Sequence, residues 1–487
     1  MMFDRELIGS QEQDNLTATQ EADRILGLSG NDLIVGKQSN DILLGGEGED
    51  TLNGTYSTSR HPGRGEVDIL RGARGADTFV LGDAANTYYT GFGADDYTII
   101  EDFKFNDTIQ LKGEAKDYFL TAGRVVDGSS TTAIVEAESE DLIGLIKNAN
   151  NISLSSDRFS YIEAPDYDKL YVFSDSLADP GNIFKTSKSV QLFDDLFGLE
   201  VPVTPASPPY YEGRFSNGLV WVEELATELN LDLIPSTELS TIFPALNINS
   251  PIGFSFDFSS GPDLAVNSDF DGRTIEESVN FAFGGAQTGA KGAGEYGDLI
   301  PGIQQQVDWF IEDHQEAEKT ADSDALYVIS GGRNDYSAPN PVPEDVVSNI
   351  EAEIESLYEI GARDFLVSNL SDLGKLPATP VESVDTFSGY TQKHNELLQQ
   401  SIDELNDTLT GANIVVLDFN TLFNNILDRP QDYDLTNVSD PYLDPITLEP
   451  SVGAEVEEYL FYDTVHPTAA VHDLINDLTL TTLAMEF

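Results

Sequence analysis

The sequence predicts an α/β domain built on a doubly wound parallel sheet, preceded by a parallel β-roll and a small β-rich cap. Three observations carry that expectation. Aspartates recur every nine residues near the start, short alternating apolar and polar stretches follow, and from about residue 166 all-apolar runs of three or four residues alternate with amphipathic stretches. The corresponding divisions are 1–82 for the roll, 83–165 for the cap and 166–487 for the α/β domain.

At 487 residues the chain has room for two or three domains of about 150 residues each. It carries 86 Asp and Glu against 25 Lys and Arg, a net charge of −61. That balance excludes a nucleic-acid partner, because phosphate contacts need a basic surface. Hydrophobic residues make up 40%, enough for ordinary cores, so the acidity does not imply disorder. Cations in a salty or calcium-rich medium would offset the self-repulsion. Cysteine is absent, which excludes disulfides, thiolate metal sites and cysteine nucleophiles. No apolar run reaches about 18 residues, so no transmembrane segment is expected. The stretch 1–13 lacks the basic and apolar regions of a signal peptide, so export is expected by a route that reads no N-terminal signal.

Asp14, Asp23, Asp32, Asp41 and Asp50 stand nine residues apart; after a unit with Ser59 in that position, the register resumes at Asp68 and Asp77. Two residues after each comes an apolar side chain, at Leu16, Ile25, Ile34, Leu43, Leu52, Leu70 and Phe79, and four residues after most of the aspartates comes glycine, at Gly27, Gly36, Gly45, Gly54 and Gly72. Each nonapeptide then reads as a glycine-dependent turn and a short strand with one inward apolar residue. Two units make one coil, so Asp32 stacks over Asp50, and Asp23 over Asp41. Stacked carboxylates repel each other, whereas hard Ca²⁺ prefers several oxygen ligands. The run GLSGNDLIVGKQSNDILLGGEGEDTLNG resembles the RTX (repeat-in-toxin) family, whose nonapeptide G-G-x-G-x-D-x-U-x binds calcium. The best units are 27–35 and 45–53. The resemblance implies structural Ca²⁺ held at Asp23, Asp32, Asp41 and Asp50, with Gly30 and Gly48 in the turns. The outer units, around Asp14 and Ser59, lack the glycines and read as caps without metal.

In 83–165, DYTIIEDFKFNDTIQLKG and TTAIVEAESEDLIGLIKN alternate apolar and polar residues with Asp and Gly at the breaks, which argues for short strands. The segment is expected to cover the open end of the roll, since a bare β edge invites aggregation.

Beyond 166, LYVF (170–173), LYVI (326–329), FLV (365–367) and IVVL (414–417) read as buried parallel strands. Ile350, Ile354 and Leu357 fall on one helical face, as do Leu398, Ile402, Leu405 and Leu409. Strands alternating with helices place a ligand site at the carboxyl ends of the strands. There the sequence reads SDSLADPGN at 174–182, NFAFGG at 280–285, SGGRND at 330–335 and, near the end, DTVHP at 463–467. These blocks, in this order, resemble the SGNH or GDSL family of ester hydrolases, as does GRFSNGLVWVEELA at 213–226. Ser174 departs from the glycine that many members have there.

The resemblance implies a flavodoxin-like α/β/α sandwich and an ester or lipid substrate. A serine hydroxyl is a weak nucleophile without an adjacent base. Ser176 at a strand-to-helix turn fits the nucleophile, His466 the base, and Asp463, three residues earlier, the acid that holds the imidazole tautomer. By resemblance the oxyanion donors are the backbone N–H groups of Ser176 and Gly285 and the side-chain amide of Asn334. No catalytic cofactor is expected. Asp175 reads as a core or capping carboxylate, with Asp179 and Asn182 as braces of the loop after the nucleophile. His472 reads as structural; His61, His314 and His394 read as solvated or capping, and Trp221 and Trp309 as core.

Two long loops, 198–212 with its prolines and 425–460, are expected to shape an acyl pocket. The leading reading is a secreted ester hydrolase with a calcium-binding roll. Its rival is a calcium-dependent surface or matrix protein with an inactive hydrolase-like domain. The RTX resemblance implies an extracellular location, with LTLTTLAMEF (478–487) as the candidate signal for type I export.

Overall fold

The computed structural model describes residues 5–149, 151–197, 202–239, 243–244, 266–267, 270–294 and 297–487. Residues 1–4 and residues 198–201 of the proline-rich loop lie outside the described residues. The chain divides into two compact units, Met1–Pro165 with Asp432–Asp434 and Leu480–Phe487, and Asp166–Gln431 with Leu435–Thr479.

In the first unit successive short strands alternate between two parallel sheets. One carries Arg5–Ile8, Asp23–Ser29, Ile42–Glu47, Val67–Arg74 and Tyr97–Ile100; the other carries Asn15–Thr17, Leu33–Val35, Thr51–Asn53, Thr78–Val80, Thr108–Lys112 and Phe159–Ile162. The register sets Ile25 beside Leu43 and Leu43 beside Leu70, with Ile34, Leu52 and Phe79 aligned in the other sheet. All six side chains are fully buried, as a roll with one inward residue per strand requires; Leu16 is partly buried. The step between paired residues is 18 up to Leu43 and 27 from Leu43 to Leu70, because the unit containing Ser59 forms no strand and leaves the ladder. Residues 83–165 supply strands to both sheets, and Tyr118–Ala122, Thr131–Glu136 and Leu142–Lys147 continue the first one as an antiparallel meander.

The main sheet of the second unit has six strands among the described residues: β1 (Leu170–Ser174), β2 (Leu233–Pro235), β3 (Ser278–Asn280), β4 (Leu326–Ser330), β5 (Asp364–Ser368) and β6 (Asn413–Leu417). All neighbours are parallel, in the order β2-β3-β1-β4-β5-β6. Without the edge strand β2 this is the flavodoxin-like order, whose direction of winding reverses at β1. The helices are α1 (Asn182–Phe197), α2 (Trp221–Glu228), α3 (Ile303–Glu316), α4 (Pro343–Ile360), α5 (Val384–Thr408), α6 (Phe419–Asp428) and α7 (Ala469–Glu486). Pro343 at the start of α4 loses no helical hydrogen bond there.

Tyr171, Phe173, Tyr327, Ile329, Phe365 and Val367 face one side of the sheet. They pack with Val307 and Phe310 of α3, Ile350, Ile354 and Leu357 of α4, and Leu398, Ile402 and Leu405 of α5. Each such side chain contributes about 1.5–3 kcal/mol on burial. The period of two sends Leu170, Val172, Val328 and Leu366 to the opposite face. Trp221 and Trp309 are both buried, as expected.

Candidate active site

The carboxyl end of β1 is pinned before the chain turns. The Gln306 side chain of α3 accepts the Ser174 N–H at 2.8 Å and donates to the Ser174 carbonyl at 2.9 Å. Ser174 Oγ donates to the Ser330 carbonyl of β4 at 2.6 Å, so the serine at the resembled family's glycine position ties two strand ends together. Two residues further on, the buried Ser176 places its Oγ 2.8 Å from His466 Nε2. His466 Nδ1 lies 2.8 Å from Asp463 Oδ2. Asp463 Oδ1 accepts the N–H groups of Val465 and His466, each at 2.8 Å, which closes the tight turn carrying both side chains.

Burial pushes the Asp463 carboxyl up, but the adjacent His466 and the hydrogen bonds from His466 and Tyr210 outweigh it and hold the group well below the usual carboxylate range. An ionised carboxylate can only accept. The proton therefore sits on His466 Nδ1, and Nε2 is left to accept from the Ser176 hydroxyl. The Phe215 ring covers the imidazole, centroid to centroid 4.8 Å.

The remaining expected site residues converge on the same strand ends. Gly285 follows β3 with φ +86°, a left-handed conformation that glycine adopts without strain. Its neighbour Gly284 donates its N–H to Asp179 Oδ2 at 2.7 Å. Asp179 also accepts the N–H groups of Gly181, Asn182 and Ile183 at the start of α1, and burial lifts its carboxyl to about 7. Asn182 Nδ2 donates to the carbonyls of Asn280 and Ala282, both at 3.0 Å. This network braces the loop after Ser176 against the block after β3, as expected for Asp179 and Asn182. Asn334 Nδ2 donates to Ala286 O at 2.9 Å and to Asp175 Oδ2 at 3.3 Å. Asp175 is buried, and its Oδ1 accepts the Leu177 N–H at 3.0 Å.

A narrow cleft opens beside Ser176 and His466. Leu177, Leu370, Leu373, Leu376, Phe419 and Phe423 give it an apolar lining, and Arg333 lines it as well. Among the described residues, none of 198–212 or 425–460 lines this cleft. The first loop meets the site at another point: Tyr210 donates its hydroxyl to Asp463 Oδ2 at 2.6 Å. Sequence reasoning missed Tyr210, Gln306 and Arg333. The aromatic pair inside the proline-rich loop was the available signal for the first. His314 and His394 are buried rather than solvated. His314 Nδ1 meets Phe310 O at 2.9 Å, and His394 Nδ1 meets the Tyr336 hydroxyl at 2.9 Å. His472 is buried and accepts the Trp221 N–H at 3.3 Å, a structural placement.

In the roll the aspartates form two ladders. The N–H of Asp14 donates to Asp32 Oδ1 at 2.8 Å, that of Asp32 to Asp50 at 3.0 Å, and that of Asp50 to Asp77 at 3.2 Å. On the other edge Asp23 donates to Asp41 at 2.6 Å and Asp41 to Asp68 at 2.8 Å. The second carboxylate oxygens of Asp32, Asp41, Asp50 and Asp77 are buried without a hydrogen-bond partner, as is Asp23 Oδ1. A Cβ at Gly27, Gly36, Gly45 or Gly72 would collide with the unpartnered oxygen five residues on. Gly30 and Gly48 sit in the turns at φ +118° and +140°. Burial, with neighbouring aspartates, pushes Asp41 up to about 9, and burial lifts Asp68 to about 7 and Asp50 and Asp77 to about 6. Buried, unpaired carboxylate oxygens in cradles only glycine can form fit a hard divalent cation such as Ca²⁺.

Residues 170–479 match the family model for GDSL-like lipase/acylhydrolase, and 8–43, 17–52 and 62–97 match the RTX calcium-binding nonapeptide repeat. Among similar proteins, a thermolabile hemolysin of Vibrio parahaemolyticus is 25% identical over 69% of this chain and 71% of its own length. A GDSL esterase/lipase of Arabidopsis thaliana is 27% identical over 62% and 82%. A phosphatidylcholine-sterol acyltransferase of Aeromonas hydrophila is 21% identical over 66% and 92%. With its blocks gathered at the strand ends and the family match spanning more than half of its length, the chain belongs to the GDSL-like lipase/acylhydrolase family of ester hydrolases and carries RTX calcium-binding repeats ahead of that domain.

Proposed function

We propose that the protein is a secreted carboxylic ester hydrolase working through Ser176, His466 and Asp463. The observation that carries this reading is the unbroken hydrogen-bond chain from Ser176 Oγ through His466 to Asp463, 2.8 Å at each link. Ser176 Oγ attacks the ester carbonyl carbon while its proton passes to His466 Nε2, and Asp463 stabilises the imidazolium. The backbone N–H groups of Ser176 and Gly285 and the Asn334 amide receive the oxyanion. Collapse expels the alcohol, which takes the proton from His466. Water activated by the same imidazole then releases the acid and restores Ser176. The acyl chain lies along the apolar wall of the cleft.

Calcium belongs to the roll, where Asp23, Asp32, Asp41 and Asp50 with the Gly30 and Gly48 turns hold it, and its contribution there is structural. Free calcium is abundant outside the cell, and the repeats therefore suit an exported protein. Among the described residues no helix is long and apolar enough to cross a membrane. The complete hydrogen-bond chain favours the enzyme over a calcium-dependent surface protein with an inactive domain. The experiment is hydrolysis of p-nitrophenyl esters and phosphatidylcholine, included because of the acyltransferase relative. Wild type turns over part of the panel, and Ser176→Ala, folded, turns over none. Wild-type activity retained in Ser176→Ala overturns the assignment.

A further inference from the structure

Asp463 Oδ2 accepts two hydrogen bonds. One comes from His466; the other, at 2.6 Å, comes from the hydroxyl of Tyr210, 253 positions earlier in the chain. The phenol is held in place by its surroundings. Tyr210 is buried, packed with Leu443 and Tyr462, and edge-on to the rings of Tyr462 at 5.4 Å and Phe215 at 6.1 Å. Tyr462, next to Asp463 in sequence, donates its hydroxyl back to the Pro209 carbonyl at 2.9 Å. The segment before Tyr210 and the segment before Asp463 are thus laced together from both sides, and Phe215, five residues beyond Tyr210, covers the imidazole.

On the Ser-His-Asp reading above, we propose that Tyr210 is a positioning residue of the hydrolase: it shares the Asp463 carboxylate with His466, fixing the orientation of the acid and setting how strongly it holds the imidazolium formed during attack. Burial and the nearby Asp463 raise the Tyr210 hydroxyl above its ordinary range, so it donates at every pH where the enzyme works. An oxygen that already accepts from a phenol presents less charge to the imidazolium. Loss of the phenol therefore strengthens the pull of Asp463 on the protonated ring and frees the carboxylate to rotate. The other titratable groups that face this pair are Tyr462 beside Asp463, Arg333 after β4, Asp175 after β1 and His472 on α7. Asp463 hydrogen-bonds to none of those four. Tyr210 is the one donor on Asp463 from outside its own turn among the described residues.

The test is the pH dependence of kcat and kcat/KM for Tyr210→Phe against a p-nitrophenyl ester, in the full chain with calcium. Removing one hydrogen bond to a charged group is expected to lower kcat by about tenfold with KM nearly unchanged. The acid limb of kcat/KM should move to higher pH by roughly half a unit. An acid limb at the wild-type position overturns the proposal, whatever the rate, since a merely structural role would lower the active fraction without moving it. Ser176→Ala is assayed alongside. If Ser176→Ala retains activity, the triad reading itself has failed; if it is inactive and Tyr210→Phe keeps the wild-type profile, only the role of Tyr210 has failed.

Discussion

Asn334 Nδ2 donates to Asp175 Oδ2 at 3.3 Å, joining the block after β4 to the residue immediately before Ser176. The same amide donates to Ala286 O, one residue past Gly285, at 2.9 Å. One side chain therefore holds three chain segments in register: the turn at Ser176, the glycine turn and its own loop. Arg333 Nη1 steadies the other end of the amide by donating to Asn334 Oδ1 at 3.2 Å. Three of the four sequence blocks meet at this point, and His466 brings in the fourth.

On the proposed mechanism, Asn334→Ala removes an oxyanion donor that acts mainly in the transition state. The expected result is a fall in kcat of about 10²–10³ with little change in KM, measured by steady-state hydrolysis of a short ester. A rise in KM with kcat unchanged would assign Asn334 to ground-state binding.

Phe423 is part of the apolar lining of the cleft. Phe423→Ala should shift the preferred acyl length of p-nitrophenyl esters towards longer chains and cost roughly 3 kcal/mol of stability. An unchanged length profile in the folded variant would place the acyl chain elsewhere.

Removing calcium should open the roll and spare the catalytic unit. Both tryptophans of the chain, Trp221 and Trp309, are buried in the α/β unit, so their emission reports on that unit alone. With calcium chelated, hydrogen exchange across 5–165 is expected to rise sharply while tryptophan emission and initial ester hydrolysis stay constant. Immediate loss of activity with unchanged emission would contradict a purely structural metal.

Acid should partly replace calcium. Asp41, Asp68, Asp50 and Asp77 have carboxyls raised in the folded roll to between about 6 and about 9, above the ordinary value of 3.8. The folded state then binds more protons than the unfolded one, so stability is greatest below about pH 4 and is lost as pH rises through that range. In calcium-free buffer the roll should melt at a higher temperature at pH 5 than at pH 8, and millimolar calcium should close the gap. Melting that is higher at pH 8 without calcium would reverse the sign.

Much of this architecture was legible because it repeats or is strongly apolar. The nine-residue spacing placed Ile25 to Phe79 inward, and the runs LYVF, LYVI and FLV became central strands with IVVL at the sheet edge. β2 and β3 carry three residues each, and β3 reads Ser-Val-Asn, too short and too polar to show as an apolar run. The unit around Ser59 kept the nine-residue count on paper, yet it leaves the ladder, a choice made by tertiary pairing of Leu43 with Leu70. The site was readable where residues cluster in motifs. Tyr210 and Gln306 were not, since their meaning depends on contacts across 253 and 132 positions.

The central claim is that Ser176 is the nucleophile activated by His466. The most direct measurement is reaction of the calcium-loaded protein with a p-nitrophenyl phosphonate, followed by peptide mass spectrometry. A single adduct on Ser176 is expected, with labelling lost in folded His466→Ala. An adduct on another residue, or no adduct in a preparation that hydrolyses esters, would contradict it.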